Sequence, residues 1–380
     1  MALNTLPNAG LTNRGYPSDR IVTPFIINGD FAVAQRATSA TGLTNGSSTY
    51  QTVDRWQFNE AGAPSYQFTM SQSTTTPTGQ GFGYSTKFDC TTAQSSLAAD
   101  DFLAFRTALE GQNLQSIKKG TANAESLTLA FWVRSNKTGT YTIFLNETDN
   151  NRQNTQTYTI DSADTWEKKV ISFVPDTTGT ITNDNGSSLY LHFILAAGST
   201  YSSGTFTSNT WAATTQANRV PSSQANIADS TSNEWYVTGV QLEVGSFDST
   251  SIPSFPFESF DNNLDRCERY YQKSYDLETS PTTVTSTGLI EVSGSSDGSN
   301  NLLFSIQNKE RMRSTPTVTF YNSGGTSGQW AYGRNGATGS ATATSYSGRT
   351  ASNNLSAYVG IGASWTGAYV EGHYTLDADL

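Results

Sequence analysis

Charged side chains are scarce in this sequence of 380 residues, and positive charge is the scarcer sign. Only 14% of the residues are charged, and 22 basic residues against 32 acidic ones give a formal net charge of -10 at pH 7. Binding to a phosphate backbone requires clustered Lys and Arg, whereas the lysines here occur in isolated pairs such as Lys118-Lys119. The sequence therefore predicts no nucleic-acid partner.

Cysteine and histidine are nearly absent as well. The chain has two of each, Cys90, Cys267, His192 and His373, which is too few nitrogen and sulfur ligands for a structural zinc site. No apolar run approaches the roughly 20 residues that cross a bilayer, and the N-terminus lacks the basic start and apolar middle of a secretory signal peptide. We expect free cysteines, no metal or cofactor, and no insertion into a membrane.

Catalytic motifs are equally sparse. Gly294–Gly298 reads Gly-Ser-Ser-Asp-Gly, which is the spacing of a nucleophile elbow. That elbow joins a strand to a helix, whereas a strand pattern follows here, so we interpret the segment as a hairpin turn. Carboxylate pairs such as Asp100 and Glu110 leave a glycan hydrolase open as an alternative, because sequence separation does not fix their distance. We predict that the protein is not an enzyme.

Aromatic and turn-forming residues, by contrast, are abundant. Aromatics make up 12% of the chain and glycine occurs 32 times, a composition that suits β-strands joined by tight turns. Alternating segments at 126–133 and 139–145 flank a turn at 135–138 and indicate a hairpin. The sequence predicts an all-β protein with an extended attachment arm (1–23), an N-terminal jelly-roll β-sandwich (24–257), a short connecting helix (258–276) and a smaller C-terminal β-sandwich domain (277–380).

The connecting helix carries one narrow apolar stripe. Its members recur at a 4-3-4 spacing, which places them on one face: Phe260, Leu264, Cys267 and Tyr271. Asp261 or Asn262 is the expected N-cap. The stripe could dock on its own jelly roll or meet copies of itself around an axis. In the second case these four residues form the candidate oligomer interface.

Several segments together resemble phage tail-fibre and related virion structural proteins. They occur in the same order and at similar spacing: Ile27–Phe31 with Gln35-Arg36, Asp54–Trp56, Thr238–Gly245, Cys267–Tyr271, Met312–Val318 and Leu376–Leu380. The resemblance covers nearly the whole chain from about Pro24. It implies a jelly roll, a Cys-x-Arg-Tyr-Tyr helix and a small C-terminal β domain, in a fibre that is commonly a homotrimer.

The function implied by this resemblance is that of a non-enzymatic bacteriophage virion protein. The arm would contact other virion proteins, and the fibre would bind a host-surface glycan. A capsid-surface or tail-assembly protein without a receptor is the first alternative, and a glycan hydrolase is the second. The jelly roll also resembles carbohydrate-binding modules in which a Glu and an Asp hold a structural calcium. The matching positions here are Ala32, Thr238 and Gly239, so that calcium site does not carry over, and Asp30 is the acidic residue left nearby.

Aromatic residues and arginine of the C-terminal domain are the candidate receptor contacts, because both are enriched at binding hot spots. They are Trp330, Tyr332, Arg334, Tyr346, Tyr358, Trp365 and Tyr369. In the jelly roll we expect a second aromatic set in the core, with stacking on a sugar as the alternative: Trp56, Trp132, Trp166 and Trp235. Arg36 and Arg55 are expected to form structural ion pairs with Asp30 or Asp54.

Overall fold

A computed structural model describes residues 23–334, 337–345, 348–362 and 366–380 of the chain. Their regular secondary structure is almost entirely antiparallel strand, so the predicted all-β class is confirmed. The attachment arm predicted over 1–23 lies, apart from Thr23, outside the described residues. Within the described ranges, no helix has the length and apolar character needed to span a membrane.

The N-terminal domain consists of two six-stranded sheets. In chain order its strands are β1 (Ser39–Leu43), β2 (Gln57–Ala61), β3 (Gln67–Ser73), β4 (Ser85–Thr92), β5 (Phe102–Glu110), β6 (Leu127–Ser135), β7 (Gly139–Glu147), β8 (Arg152–Ile160), β9 (Glu167–Phe173), β10 (Ser187–Ala197), β11 (Ala212–Ala213) and β12 (Glu234–Val244). The first sheet has the order β1-β3-β4-β12-β6-β9, and the second has the order β11-β8-β7-β10-β5-β2.

The two sheets enclose one hydrophobic core. Because successive side chains of a strand point to opposite faces, every second residue of each strand faces the partner sheet. Rings from the two sheets meet there: Phe131 of β6 lies 5.0 Å from Phe193 of β10, and Phe88 of β4 lies 5.3 Å from Phe105 of β5. The domain is therefore the predicted β-sandwich. Trp56 and Trp235 are fully buried in this core, as expected.

The C-terminal domain is one eight-stranded sheet folded around its own core. Its strands are β13 (Tyr271–Lys273), β14 (Ile290–Gly294), β15 (Asn301–Gln307), β16 (Thr317–Tyr321), β17 (Gln329–Arg334), β18 (Ala337–Ser345), β19 (Asn354–Gly360) and β20 (Ala368–Asp377). Strand β20 pairs with β14 and β17 along its first half and with β13 and β16 along its second. Phe304 of β15 stacks on Trp330 of β17 at 4.5 Å, although β18 and β19 separate their strands in the sheet, so the sheet must curl over itself.

The connecting helix is shorter than the sequence predicts. Helix α1 spans Phe260–Glu268, and its N-cap is Ser259, whose hydroxyl accepts a hydrogen bond from the backbone N–H of Asn262. Asp261 and Asn262 are therefore not the cap. The predicted helix continues to residue 276, but the chain leaves the helix after Glu268 and enters β13. Pairing with β20 supplies the backbone hydrogen bonds of that segment, and this tertiary contact overrides the local helical pattern.

The apolar stripe of α1 docks on the protein's own N-terminal domain. Cys267 is a free thiol with no exposed surface, packed with Ile27 and Val33, and Leu264 packs against the same cluster. Tyr271 is only 5% exposed, whereas Phe260 is 43% exposed. The predicted oligomer interface is thus corrected, because Leu264, Cys267 and Tyr271 already have partners within the chain. The homotrimer itself remains a prediction.

A clamp of two arginines ties the N-terminal domain to the end of β20. Arg36 donates to Asp377 at 2.9 Å and to Asp379 at 2.5 Å, and Arg55 donates to Asp379 at 2.6 Å. The guanidinium groups also lie over tyrosine rings, Arg36 over Tyr271 at 3.7 Å and Arg55 over Tyr270 at 3.5 Å. The expected pairing of these arginines with Asp30 or Asp54 is wrong, because their partners lie more than 300 residues away in sequence.

Two further buried groups strengthen this junction, which we call the interdomain joint. Glu110 of β5 accepts hydrogen bonds from Arg269 at 2.9 and 2.8 Å and from the Tyr270 hydroxyl at 2.6 Å. Burial opposes the charged form of Glu110, but these donors outweigh it and hold its pKa below the ordinary value. The Lys273 amine donates to three backbone carbonyls, and its burial lowers its pKa to about 8.

Candidate functional site

The predicted receptor contacts do not form one surface. Trp330 is a core residue, because it is fully buried, stacks on Phe304 and donates its indole N–H to the carbonyl of His373 at 2.8 Å. Its prediction as a surface contact is therefore corrected. Tyr346, Trp365 and the side chain of Arg334 lie outside the described residues.

The three remaining tyrosines of that set are half-buried on separate strands. Strand register pairs Tyr332 with Val370, a core residue, and pairs Gly333 with Tyr369, so the two tyrosines point to opposite faces of the sheet. Tyr358 of β19 lies on the outer face. The structure therefore does not unite these tyrosines into the platform that the sequence suggested.

An aromatic cleft occupies the outer face of the first sheet of the sandwich, on the side turned away from the core. It encloses about 290 Å³. Its lining combines aromatic rings, amides, small residues and one lysine: Gln80, Phe82, Ala130, Trp132, Lys168, Gly239, Gln241, Ser254, Phe255 and Phe257. Concave sites with aromatic walls and a few polar groups are the usual form of small-ligand sites. We take this cleft as the candidate functional site.

Strand alternation places Trp132 in the cleft. Its neighbours Phe131 and Val133 are fully buried in the sandwich core, so the indole of Trp132 must point outward. In the sheet Trp132 pairs with Lys168 of β9 and with Thr238 of β12, and this register puts the lysine beside the indole. The expected core position is confirmed for Trp56 and Trp235 but not for Trp132 and Trp166, which are only partly buried.

A β-bulge in β12 shapes the floor of the cleft. Trp132 pairs with Thr238 while Ala130 pairs with Gln241, so β12 carries one extra residue at this point. Gly239 lies in the bulge with a φ of +63°, and a Cβ built there would come within 2.4 Å of the Phe82 ring. Only glycine therefore permits Phe82 to lie directly on the strand. The Thr238 hydroxyl donates to the carbonyl of Tyr84 at 2.7 Å and anchors the loop that carries Phe82.

Three phenylalanines form one wall. The Phe82 ring lies 5.1 Å from Phe255 and 5.1 Å from Phe257, and the latter two lie 4.9 Å apart. Pro256 stands between Phe255 and Phe257 and keeps the backbone before it extended. Phe257 is 52% exposed. An aromatic ring held this way offers an apolar face to a ligand, because its own neighbours already fix its position.

The cleft also carries polar groups that can bind a ligand. The described residues that line it include no carboxylate, and so no acid pair of the kind that most glycosidases use. Gln241 donates to the carbonyl of Pro253 at 2.9 Å, while its own buried carbonyl oxygen has no partner within the described ranges.

Sequence reasoning missed most of this site. The available signals were Phe257 beside a proline and Phe82 between Gly81 and Gly83, since bulky apolar residues in such turn segments often remain exposed. Their convergence depends on the β12 bulge, which strand periodicity does not reveal.

Comparisons with known proteins give no family for this chain. No family model and no curated protein matches it. Among solved structures, the enzymatically active domain of bacteriophage CBA120 tailspike protein 4 is 11% identical with a TM-score of 0.29, covering 54% of this chain and 21% of that one. A family 11 carbohydrate-binding module of a Clostridium thermocellum cellulase is 10% identical with a TM-score of 0.26, covering 55% and 96%. A family 22 xylan-binding domain is 13% identical with a TM-score of 0.26, covering 57% and 98%.

The similarities therefore include a phage tailspike domain and carbohydrate-binding modules. This chain spans about a fifth of the tailspike chain it matches. The TM-scores are too low to carry an argument about function, which therefore rests on the cleft and on the sequence segments.

Proposed function

We propose that this chain is a non-enzymatic structural protein of a bacteriophage virion, a tail fibre that binds a host-surface glycan in the aromatic cleft. The observation that carries the glycan-binding part is the exposed ring of Phe257 beside the outward indole of Trp132, with amides at the same wall. Apolar ring faces of this kind pack against the C–H face of a sugar, while amides serve its hydroxyl groups.

The virion part of the proposal rests on the order of the segments that resemble tail-fibre proteins. In that assembly the N-terminal arm would contact other virion proteins, and three copies would present three clefts. A fibre that engages several glycans at once gains avidity of about a hundredfold or more over a single weak site.

Substitution of the cleft aromatics tests the glycan-binding part. We expect Phe257→Ala and Trp132→Ala to weaken glycan binding by about tenfold or more, which corresponds to about 1.4 kcal/mol each. Phe260→Ala is the matched control, because Phe260 is also an exposed aromatic, 43% accessible, yet does not line the cleft. Binding would be measured by calorimetry with glycans that a host-polysaccharide array selects.

Other outcomes point to the alternatives. If the wild-type protein binds no polysaccharide of any host envelope on the array, a capsid-surface or tail-assembly role without a receptor is favoured. If incubation with those polysaccharides releases reducing ends, the protein is a hydrolase. Equal binding by Phe257→Ala, Trp132→Ala and Phe260→Ala would show that the glycan binds elsewhere.

A further inference from the structure

Three basic side chains meet on the outer face of the second sheet, opposite the aromatic cleft, and none of them forms an ion pair with a carboxylate in the described part of the chain. Strand register sets Arg106 of β5 beside His192 of β10, and His192 beside Phe144 of β7, all on the face turned away from the core. Arg219 reaches the same place from the segment that follows β11, and its guanidinium lies 4.6 Å from the Phe144 ring.

The two arginines are half-buried, and tyrosine rings pack against both. The Arg106 guanidinium lies 4.8 Å from the Tyr190 ring and that of Arg219 lies 5.2 Å from the Tyr201 ring, while burial lowers the pKa of both arginines. Arg106 donates to the Gln57 side chain at 2.5 Å. The Nε of Arg219 is buried without a hydrogen-bond partner in the described part of the chain. Burying an unpaired cation is costly, and this cost falls on a chain whose acidic residues outnumber its basic ones.

His192 is the most unusual member of the group. It is 4% exposed, and neither of its ring nitrogens has a hydrogen-bond partner among the described residues. Burial, followed by the two nearby arginines, holds its pKa well below the ordinary value, so the imidazole is neutral at pH 7. A neutral imidazole carries one N–H donor. A buried donor without a hydrogen-bond acceptor destabilises the folded protein unless a ligand supplies that acceptor.

We propose that Arg106, His192 and Arg219 form a binding site for an anionic group, a carboxylate or sulfate, carried by an acidic sugar. An anion would form ion pairs with both guanidinium groups and would also accept a hydrogen bond from the imidazole N–H. Arg106, Arg219 and Tyr190 are each partly exposed, which leaves the site open to a ligand. Tyr190 lies against Arg106 at 4.8 Å and pairs with Asn146 across the sheet, so a ring and an amide adjoin the anion position.

The sugar in this inference rests on the proposed function, whereas recognition of the anion rests only on the three basic groups. The site lies on the opposite sheet from the aromatic cleft, so the two can be tested separately. It would make the protein selective for negatively charged polysaccharides.

Histidine NMR gives a direct test, because the chain contains only two histidines. In protein labelled at histidine, sodium sulfate, galacturonate and oligogalacturonate should each shift the imidazole signals of His192. The signals of His373 should stay in place, because its ring is stacked on Tyr275 at 3.7 Å and hydrogen-bonded to Ser274 and Thr285. The methyl-esterified oligomer should leave His192 unshifted, since it has the same rings without the charge.

Calorimetry with oligogalacturonate tests whether the arginines contribute to binding. Arg219→Gln should weaken binding by about tenfold or more. Arg134→Gln is the matched control. Arg134 also lies over a tyrosine ring, that of Tyr236 at 5.0 Å, but it belongs to the first sheet and is paired with Asp164. If none of the anions shifts His192, or if acid and ester bind equally, the inference is overturned. Neutral glycans that still bind and are still weakened by Phe257→Ala would then leave the proposed function intact. Loss of cleft binding with a retained anion response at His192 would overturn the proposed function alone.

Discussion

The arginine clamp of the interdomain joint predicts a large difference between two neighbouring aspartates. Asp379 pairs with both Arg36 and Arg55, and its side chain is 6% exposed. Asp377 pairs with Arg36 alone, and its side chain is 45% exposed. We compare Asp379→Ala with Asp377→Ala, which remove the same chemical group two residues apart.

The magnitude follows from what each substitution leaves behind. Asp379→Ala strips the 2% exposed Arg55 of its carboxylate, leaving a backbone carbonyl at 2.8 Å and the Tyr270 ring as its partners. Removing one partner of a buried ion pair costs about 3 to 5 kcal/mol. Asp377→Ala leaves Arg36 bound to Asp379, and a half-exposed pair contributes less than about 1 kcal/mol. The expected ratio of the two effects is therefore at least threefold.

Urea unfolding monitored by tryptophan fluorescence measures this difference, with the slope of the transition as a check that both variants unfold in the same way. Added salt should reduce the effect of Asp377→Ala and leave most of the effect of Asp379→Ala, because buried pairs are screened less than exposed ones. Equal losses in the two variants, or a loss below about 1 kcal/mol for Asp379→Ala, would refute the clamp as a buried, stabilising contact.

Three shorter predictions follow from the same structure. Gly239→Ala should destabilise the protein by about 1 to 3 kcal/mol in thermal unfolding and weaken glycan binding, because a methyl group at that φ displaces the Phe82 ring. Leu264→Asp should lower the free energy of unfolding by about 2 kcal/mol or more, while mass photometry shows no dissociation of an assembly, because the stripe packs within the chain. Glu110 has a lowered pKa when folded, so its stabilisation is present above its ordinary pKa of 4.5 and is lost as the pH falls through the folded value. Unfolding of Glu110→Gln should therefore depend less on pH below about 5 than that of the wild type.

Sequence periodicity was sufficient to predict most strands and the residues that face the core. Alternation identified β6 and β7 as strands, and it placed Trp56 and Trp235 in the core. The hairpin predicted between those two strands is wrong, because β6 pairs with β12 and β9 in the first sheet, while β7 pairs with β8 and β10 in the second. It gave no warning for Trp132, because a strand pattern does not tell which of two faces is covered. The helix prediction failed at Tyr271, because that residue pairs with Asp377, over a hundred positions away. Such pairings are set by tertiary contacts that a single sequence does not encode in its spacing.

Most of the segments that resemble virion proteins meet at the interdomain joint, whereas Thr238–Gly245 contributes Gly239 and Gln241 to the aromatic cleft. Gln35 donates to Asp54 at 2.5 Å and to the backbone carbonyl of Tyr271 at 2.9 Å, which joins three of those segments at one point. The ion pair between Arg36 and Asp379 brings the segment Leu376–Leu380 to the same point. The rings of Phe82, Trp132 and Phe257 and the basic group at His192 lie outside these segments. The residues at the joint hold the sandwich, the short helix and the small β domain together. The three aromatic rings of the proposed glycan site are therefore residues that this resemblance does not include.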